Sequence, residues 1–480
     1  MGTEPVGLRR STVAPSGWLR PAIGVSLLAG AFRVVWPLGL ELYGDEAYYR
    51  LWSQRLAFGY FDHPPLVAWL ARAGSLLGHS ELCLRLPFAV CGGLAVFFSA
   101  AIASEITGDE RTPVLAAFLT AVAPLAILTS ALAIPDAPLA AAIAGCTWLV
   151  LRGRPGDLLW AGFLYGLALL SKYSAATLLP GFILIALRDP VARGWLRRPE
   201  AWGALGIATA MFAPCAVWNA RHDFVSLAFQ IRHASGEGLS AGTLGAFAGI
   251  ELFGAGPLTL LLALPFLLRA ETASAKRLAS LTLLPLLWFA YAAARGRFEA
   301  NWPAFLDPAL CAAAAAGLAT FAPRLRRNLG FAASAVAVAA VIVLGLELRH
   351  PRFVPAANVD VARFHEGRAL AAALRSRLDG PAAFIFTNDY QDAGELAFYG
   401  GFGRFGPAFE RASQLDLWGD QPAKGEPFVF VGPLATSRAL GSHFPGARQQ
   451  RTEVFPLSLD DAPLRTVSVT WFENFEGFVR

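Results

Sequence analysis

The sequence predicts a polytopic α-helical membrane protein of about eleven transmembrane helices, followed by a small α/β domain. Of its 480 residues, 55% are hydrophobic and only 16% are charged, and the mean hydropathy is +0.48. Soluble domains usually contain about 25% charged residues. Many of the hydrophobic residues form runs that approach the roughly 20 residues a helix needs to cross a bilayer. The composition and these runs together favour a chain that folds within a membrane.

The apolar runs lie in the first 348 residues and define the helices that we expect. Several are shorter than a perpendicular membrane helix, so their bounds and their number are approximate. We expect the first run to remain as an uncleaved helix, because no clear small-residue cleavage site precedes the acidic loop that follows it. The predicted spans are 21–40, 82–104, 113–132, 137–151, 158–170, 174–187, 201–218, 245–268, 278–294, 304–321 and 329–347.

Positive charges in the connecting segments predict which side of the membrane each segment faces. Lys and Arg are about twice as frequent in one alternating set of segments as in the other, and the positive-inside rule makes the richer set cytoplasmic, together with the N-terminus. The same distribution explains the net charge of +5, so we predict no nucleic-acid partner. The basic segments are those before 21 and at 105–112, 152–157, 188–200, 269–277 and 323–328.

An odd number of spans places residues 349–480 outside the cytoplasm, on the same side as the first outer loop at 41–81. Residues 382–387 and 428–431 have the aromatic and β-branched composition of strands, and 392–399 has the pattern of a helix. We therefore predict a transmembrane module at 1–348 and a soluble extracytoplasmic α/β domain at 349–480.

Unusual polar residues gather on this outer side. Asp45 and Glu46 directly follow the first span, where ionisable groups are costly and usually serve a function. Simpler explanations exist for single members, because tyrosines and tryptophans form interfacial belts, Asp136 could cap a helix and Lys172 could extend to lipid headgroups. Their common side favours a single site. Its candidate residues are Asp45, Glu46, Tyr48, Tyr49, Arg50, Tyr60, Asp62, His63, Asp136, Lys172, Tyr173, Arg297, Glu299, Asn301 and Trp302.

This mixture of carboxylates and cations suits a phosphorylated substrate beside a polar one. Cations hold and neutralise a phosphate, and carboxylates bind hydroxyl groups or accept a proton. Nucleotide-activated metabolites are not supplied outside the cytoplasm. For a membrane enzyme whose site faces outward, we therefore expect a donor whose activated group is carried on a lipid phosphate. Its lipid tail would lie between helices and its phosphate near Lys172 and Arg297.

Five motifs in order along the chain resemble those of the GT-C membrane glycosyltransferases. They are YGDEAYYR at 43–50, YFDHPPLVAWL at 60–70, IPDAP at 134–138, GLALLSKYS at 166–174 and FEANWP at 298–303. The resemblance covers about residues 20–320 and is strongest to the bacterial branch near the protein O-mannosyltransferases and the lipid A aminoarabinose transferase. The tail at 388–399 and 414–418 resembles the outer domain of bacterial members.

The resemblance implies transfer of one sugar from a polyprenyl-phosphate donor, with inversion at the anomeric carbon. The catalytic aspartate of the family corresponds to Asp45, and Glu46 corresponds to its second acidic position. Lys172 and Arg297 correspond to cations that hold the donor phosphate, with His63 or Arg50 assisting. Lipid A enzymes often have Lys before Pro-Pro in the first loop, whereas this chain has His63, which carries no fixed charge at pH 7 when neutral.

Several questions stay open at the level of the sequence. The acceptor implied by the resemblance is lipid A, lipopolysaccharide or another envelope glycan in a bacterial inner membrane, and a protein acceptor is the alternative. A transporter is a weaker alternative, because the sequence has no repeated halves. Asp45, Glu46, Asp62 and His63 have atoms that can ligate a divalent cation, but their spacing is not a known metal signature. The sugar and the oligomeric state are likewise undetermined.

Overall fold

The computed structural model describes residues 17–236, 238–256, 258–378, 382–459 and 462–479. Arg9 and Arg10 of the basic N-terminal segment lie outside these ranges. Two 3₁₀ helices, Tyr173–Leu178 and Ala304–Leu306, accompany the α-helices of the first part of the chain. These α-helices are α1 (Leu19–Val35), α2 (Gly44–Trp52), α3 (Leu66–Leu77), α4 (Glu81–Ile106), α5 (Arg111–Val122), α6 (Pro124–Ala131), α7 (Asp136–Arg152), α8 (Asp157–Ser171), α9 (Leu179–Arg188), α10 (Pro190–Trp195), α11 (Pro199–Arg221), α12 (Val225–Ala234), α13 (Ala241–Gly254), α14 (Thr259–Leu268), α15 (Ala273–Ala294), α16 (Asp307–Ala319) and α17 (Pro323–Arg349).

Each predicted apolar span coincides with a helix or a pair of helices. By length and composition, four described helices can each cross a membrane, namely α4, α11, α15 and α17. The number rises to six if the bent pairs α5–α6 and α13–α14 each form one span. The remaining apolar helices are shorter, so the count of eleven crossings stays a prediction, while the membrane-helical character of the chain is clear.

The bend of 63° between α5 and α6 has an identifiable cause. Pro124 has no N–H group, so the carbonyl of Thr120 lacks its usual helical donor. Arg33 of α1 replaces that donor, with Nη2 3.4 Å from Thr120 O, and its Nε donates to Ser130 Oγ at 2.7 Å. Gly92 leaves room for this side chain, since an added Cβ would lie 2.6 Å from Arg33 Cδ. The broken helix then leads into the segment 132–135, which lies at the end of the helices next to the C-terminal part.

The last part of the chain contains a four-stranded sheet with helices against it. The strand order is β1-β2-β4-β3, with β1 and β2 parallel and the other neighbours antiparallel. The sequence predicts β1, β2 and the helix between them but not the long β3–β4 hairpin. The elements are α18 (Val359–Ala362), α19 (Gly367–Arg375), β1 (Phe384–Thr387), α20 (Tyr390–Gly400), α21 (Gln414–Trp418), β2 (Phe428–Gly432), α22 (Leu434–Ala439), a 3₁₀ helix (Leu440–Ser442), β3 (Arg448–Leu459) and β4 (Ala462–Glu473).

A buried ion pair fixes α2, the first helix after α1. Glu46 has no exposed surface, and its oxygens accept from Arg85 Nε at 2.8 Å and Arg85 Nη2 at 2.7 Å. Its carboxylate also accepts from the backbone N–H groups of Ala133 at 2.7 Å and Tyr43 at 2.9 Å. The Glu46 side chain therefore joins α2 to α4 and to the segment that follows α6.

Helix α20 of the C-terminal part packs directly on α2. The contact depends on Gly394, where an added Cβ would lie 2.5 Å from Tyr48 N and 2.6 Å from Ala47 C. Gly44 makes the reciprocal approach, since its Cβ would lie 2.7 Å from Gln391 Cβ. Two helices separated by more than 300 residues of sequence are thus in close contact at these two glycines.

Replacement of Arg85 by Met should strongly destabilise the protein, because it leaves the buried Glu46 carboxylate without its cation. Removal of one partner of a buried ion pair typically costs about 3–5 kcal/mol. The double variant Arg85→Met with Glu46→Gln should recover part of the loss. Thermal unfolding in detergent measures the stability of the single and the double variant. Arg72→Met, on the exposed face of α3, is the control. A midpoint for Arg85→Met equal to that of the wild type would contradict this role.

The substitution Gly394→Ala should separate α20 from α2, because the new methyl group meets backbone atoms that cannot move independently. Overpacking of this kind costs about 1–3 kcal/mol. Gly206→Ala is the matched control, since Gly206 also lies within a helix, α11, and an added Cβ there has no neighbour within 4 Å. We expect a lower unfolding midpoint for Gly394→Ala only. Equal midpoints for the two variants would show that the contact tolerates a side chain.

Candidate active site

A cavity of about 800 Å³ opens between one end of the helices and the C-terminal part of the chain. Asp45, on the first turn of α2, and Asp136, on the first turn of α7, contribute carboxylates from two different helices. The cavity brings together most of the residues that the sequence predicts. Those that line it are Asp45, Tyr48, Tyr49, Asp62, His63, Asp136, Lys172, Arg297, Glu299, Asn301 and Trp302.

One carboxylate oxygen of Asp45 accepts hydrogen bonds from the protein, and the other faces the cavity. Its Oδ1 accepts from Gln391 Nε2 at 2.7 Å and from the Tyr390 hydroxyl at 3.1 Å, both on α20. Burial raises the pKa of Tyr390 well above its ordinary value, so the phenol keeps its proton and donates. Among the residues that the structure describes, none donates to Asp45 Oδ2. One oxygen of this half-buried carboxylate is therefore available to a substrate.

The neighbouring Glu46 does not line the cavity, and this corrects its predicted catalytic role. Consecutive helical residues point about 100° apart. When Asp45 faces the cavity, Glu46 therefore faces the protein interior, where Arg85 and two backbone N–H groups occupy its carboxylate. Its function in the structure is to position α2.

Asp136, Lys172 and Asn301 form a second polar group on the cavity lining. Lys172 Nζ donates to Asp136 Oδ1 at 2.8 Å, and Asn301 Nδ2 donates to Asp136 Oδ2 at 3.0 Å. Ser171 Oγ donates to the carbonyl of Pro135 at 2.7 Å and ties the ends of α7 and α8 together. Asp136 and Lys172 are both buried, so this ion pair presents a fixed ammonium group at the cavity wall.

Arg297 contributes a cation of a different kind. Its Nε donates to the His233 carbonyl at 3.0 Å, and its Nη2 lies 3.0 Å from His233 Nδ1. Burial, and then the charge of Arg297, lower the pKa of His233 to about 4, so the imidazole is neutral at pH 7. His233 Nε2 lies 3.7 Å from Glu299 Oε1, which is not an ion pair while the ring is neutral. The described contacts of the Arg297 guanidinium thus involve no carboxylate.

Asp62 is bound by a residue that sequence reasoning missed, Arg411. Arg411 Nη2 donates to Asp62 Oδ1 at 2.7 Å, and its guanidinium stacks on the rings of Tyr390 and Phe229. The Tyr48 hydroxyl donates to Asp62 Oδ2 at 3.2 Å. Burial raises the pKa of Asp62, and the charge of Arg411 opposes this effect. Tyr390, Gln391 and Arg411 all come from the C-terminal part, where the resemblance at 388–399 covers Tyr390 and Gln391 but not Arg411.

His63 faces the cavity as a neutral ring. Burial, with the nearby charges of Lys172 and Arg411, lowers its pKa well below the ordinary value. Its Nδ1 is buried and has no hydrogen-bond partner among the described residues. An imidazole in this state can donate or accept one hydrogen bond to a bound molecule but supplies no charge.

Three other predicted residues lie outside the cavity lining. Arg50 bonds to Ser53 within its own helix, with Nη1 3.3 Å from Ser53 Oγ. Tyr60 is buried against Trp52 in a stacked pair with centroids 4.4 Å apart. The Tyr173 hydroxyl accepts from Asn219 Nδ2 at 2.9 Å. These three residues do not line the cavity, and their contacts with substrate stay predictions.

Metal ligation by the predicted acidic set does not fit the geometry. Arg85 occupies Glu46, Arg411 occupies Asp62, and the lining contains no close group of three ligands from this set in the described part of the chain. The described residues do contain a compact group of three carboxylates, formed by Glu366, Asp392 and Glu395, but it lies behind α20 and away from the cavity.

Part of the cavity lining is apolar. Leu125, Leu128 and Leu132 come from α6 and its end, and Leu344 and Leu348 come from α17. The lining thus includes both charged groups and a group of leucines from two helices. This combination suits an amphiphile with a polar head and an apolar tail.

Comparisons with known proteins agree with the sequence motifs. The family model for dolichyl-phosphate-mannose-protein mannosyltransferases matches residues 62–218. Two curated relatives from Rhizobium johnstonii are the lipid A galacturonosyltransferase RgtD, 30% identical over 188 residues, and the lipopolysaccharide core galacturonosyltransferase RgtA, 32% identical over 223 residues. The matches cover 38% and 43% of this chain, and they span only 39% and 42% of the two relatives.

Solved structures show the same fold over nearly the whole chain. ArnT from Cupriavidus metallidurans, as the apo protein and bound to undecaprenyl phosphate, matches with a TM-score of 0.66 in each case. The match covers 95% of this chain and 98% of ArnT at 17% identity. The chain therefore has the fold of ArnT, and these comparisons together support the GT-C glycosyltransferase resemblance that its motifs predict.

Proposed function

We propose that this protein transfers one sugar from a polyprenyl-phosphate carrier to a lipopolysaccharide acceptor, with inversion at the anomeric carbon. The observation that carries the proposal is Asp45. Its Oδ1 is fixed by Gln391 and Tyr390 while Oδ2 is open to a cavity whose lining also includes three cations and a group of leucines. A fixed carboxylate beside a phosphate-binding region is the arrangement that sugar transfer from a lipid phosphate requires.

The donor fits this combination of charged groups and leucines. The prenyl chain would lie against the leucines of α6 and α17, and its phosphate would meet Arg297 and Lys172. Arg297 is the better primary contact because its described bonds are to His233, whereas Lys172 already pairs with Asp136. The undecaprenyl phosphate bound to ArnT, a protein of the same fold, supports a carrier of this class.

Transfer would then proceed by in-line displacement. The bond between C1 of the sugar and the phosphate oxygen breaks, and its electron pair leaves with polyprenyl phosphate, which the cations stabilise. The acceptor oxygen forms the new bond from the opposite face, and its proton passes to Asp45. If the acceptor is itself a phosphate, no base is needed, and Asp45 instead stabilises positive charge on the sugar.

Galacturonic acid is the sugar to test first. Both curated relatives are named as galacturonosyltransferases, one acting on lipid A and the other on the lipopolysaccharide core. A uronic acid adds a second negative charge to the donor, and the cavity has three cations on its lining, Lys172, Arg297 and Arg411. A neutral galactosyl donor is the matched comparison for this part of the proposal.

We further propose that residues 349–480 form a domain on the periplasmic side of the inner membrane, with the N-terminus in the cytoplasm. The distribution of Lys and Arg supports this orientation. A protein acceptor is the second candidate, and the match of residues 62–218 to a protein mannosyltransferase family supports it. Parallel assays with lipopolysaccharide precursors and with secreted proteins distinguish the two acceptors.

The variant Asp45→Asn should lose transfer activity without unfolding, because an amide can still contact Gln391 but cannot accept a proton. Purified protein in detergent is incubated with polyprenyl-phosphate sugars and extracted lipid acceptors, and the product is followed by mass spectrometry. A thermal unfolding midpoint close to that of the wild type is the control for folding. Near wild-type activity in this variant would overturn the assignment of Asp45.

Replacement of Arg297 by Gln should reduce the rate by about 10²–10³, as for loss of one group that stabilises charge in the transition state. Arg232→Gln is the matched control, since Arg232 lies on α12 beside the site, is exposed and does not line the cavity. The measurement is initial rate against donor concentration. Equal effects of the two substitutions would exclude Arg297 as the specific phosphate ligand.

A further inference from the structure

Six charged side chains form a buried cluster behind α20, on the side away from the cavity. Two arginines meet four carboxylates there, so the cluster has an excess of negative charge if every group is ionised. Glu395 is fully buried, and neither of its oxygens has a hydrogen-bond partner among the described residues. The members are Arg363, Glu366, Asp389, Asp392, Glu395 and Arg465.

The centre of this cluster is occupied by a guanidinium group. Arg363 Nη1 lies 3.0 Å from Glu366 Oε1, 2.6 Å from Asp392 Oδ1 and 3.6 Å from Glu395 Oε1. These are the three carboxylates that lie close enough together to share a metal ion. The arginine therefore takes the place that a metal cation would hold. Burial raises the pKa of Glu395 well above its ordinary value, so this carboxyl keeps its proton and adds no negative charge. The cluster is an ion-pair network rather than a metal site.

The other terminal nitrogen of the Arg363 guanidinium lies at the end of α20 that faces the cavity. Its Nη2 lies 2.6 Å from Asp389 Oδ2, and Asp389 Oδ1 accepts from the backbone N–H of Gln391 at 3.0 Å. Asp389 is the N-cap residue of α20. Arg363 thus binds the N-cap carboxylate and, through Asp392, the first turn of the same helix.

That first turn carries the two residues that hold Asp45. Gln391 Nε2 and the Tyr390 hydroxyl both donate to Asp45 Oδ1, and the ring of Tyr390 packs on that of Tyr48 at 4.4 Å between centroids. A rotation or displacement of the first turn would move both donors at once. The unoccupied oxygen of Asp45 would then point elsewhere.

We propose that Arg363 is a positioning residue for sugar transfer, which fixes the capped N-terminus of α20 so that Tyr390 and Gln391 orient Asp45 toward the acceptor. The effect on sugar transfer rests on the proposed function, whereas the positioning of Asp45 through α20 does not. The fork of an arginine is essential to this role, because one nitrogen binds Asp389 while the other binds Asp392 and Glu366. A lysine keeps the charge but cannot span both sites.

Arg465 supplies a matched control within the same cluster. Its Nε lies 2.6 Å from Glu366 Oε2, and its Nη2 lies 2.7 Å from Asp392 Oδ1. Its described contacts do not include Asp389. The variants Arg363→Lys and Arg465→Lys therefore both disturb contacts with Glu366 and Asp392, but only the first also releases the N-cap of α20.

The kinetic test compares these two variants in the full-length protein at a temperature where both are folded. We expect Arg363→Lys to reduce kcat by about 10- to 100-fold, the scale of a small misplacement of a catalytic group, with little change in KM for the donor. Arg465→Lys should change kcat by much less for a similar decrease in unfolding midpoint. Equal losses of kcat in the two variants would overturn the proposal.

A double-mutant cycle tests the route through Gln391. If Arg363 acts by holding Gln391 and Tyr390, then Arg363→Lys should have a much smaller effect on kcat in a protein that already carries Gln391→Ala. Fully additive effects would mean that Arg363 acts elsewhere, and they would overturn the proposal even if the single variant is slow.

Hydrogen exchange separates failure of this inference from failure of the proposed function. Amides in α2 and in the first turn of α20 should exchange faster in Arg363→Lys than in wild type, and not in Arg465→Lys. This measurement needs no substrate. Absence of sugar transfer by the wild-type protein would overturn the function alone, whereas unchanged exchange in Arg363→Lys would overturn the positioning role alone.

Discussion

The Glu46–Arg85 ion pair is the constraint on which the arrangement of the site depends. It joins α2, which carries Asp45, to the membrane helix α4, and through the N–H of Ala133 it also fixes the segment that leads to Asp136. Taking both charges out of water is costly, and the cost is offset only while every oxygen of Glu46 keeps a donor. The segments that carry two carboxylates of the cavity, Asp45 and Asp136, are therefore both held by the buried carboxylate of Glu46.

A second ion network holds α20, the helix of the C-terminal part that packs on α2. Arg363 and Arg465 hold α20 from behind, and α20 in turn supplies both donors to Asp45. Gly394 allows α20 to approach the backbone of α2 closely enough for these bonds. The membrane part and the C-terminal part of the chain thus each provide half of the environment of Asp45, so the fold of residues after 349 bears directly on the chemistry of the cavity.

The sequence predicted much of the cavity because its residues lie in short polar segments that emerge on one side of apolar helices. Asp45, Asp136, Lys172 and Arg297 can be found in this way without knowledge of their contacts. Glu46 received the wrong role because adjacency in sequence does not reveal that the next helical side chain points into the protein. Arg85 lies inside an apolar span, and Arg411 lies about 350 residues of sequence from its ion-pair partner Asp62, so no local pattern reveals either pairing. The number of membrane crossings stays open because many of the apolar helices are short.

The pairing of the cations decides how a phosphate would enter the cavity. Lys172 and Arg411 are each bound to a buried aspartate, and a phosphate that approaches them must share charge with Asp136 or Asp62. Arg297 is exposed, and its described partners are the carbonyl and the neutral ring of His233. Its charge is therefore the least compensated of the three and attracts an anion first. The buried Lys172–Asp136 pair contributes afterwards, in the chemical step. A fixed ammonium at Lys172 costs no reorganisation when negative charge develops on the departing phosphate.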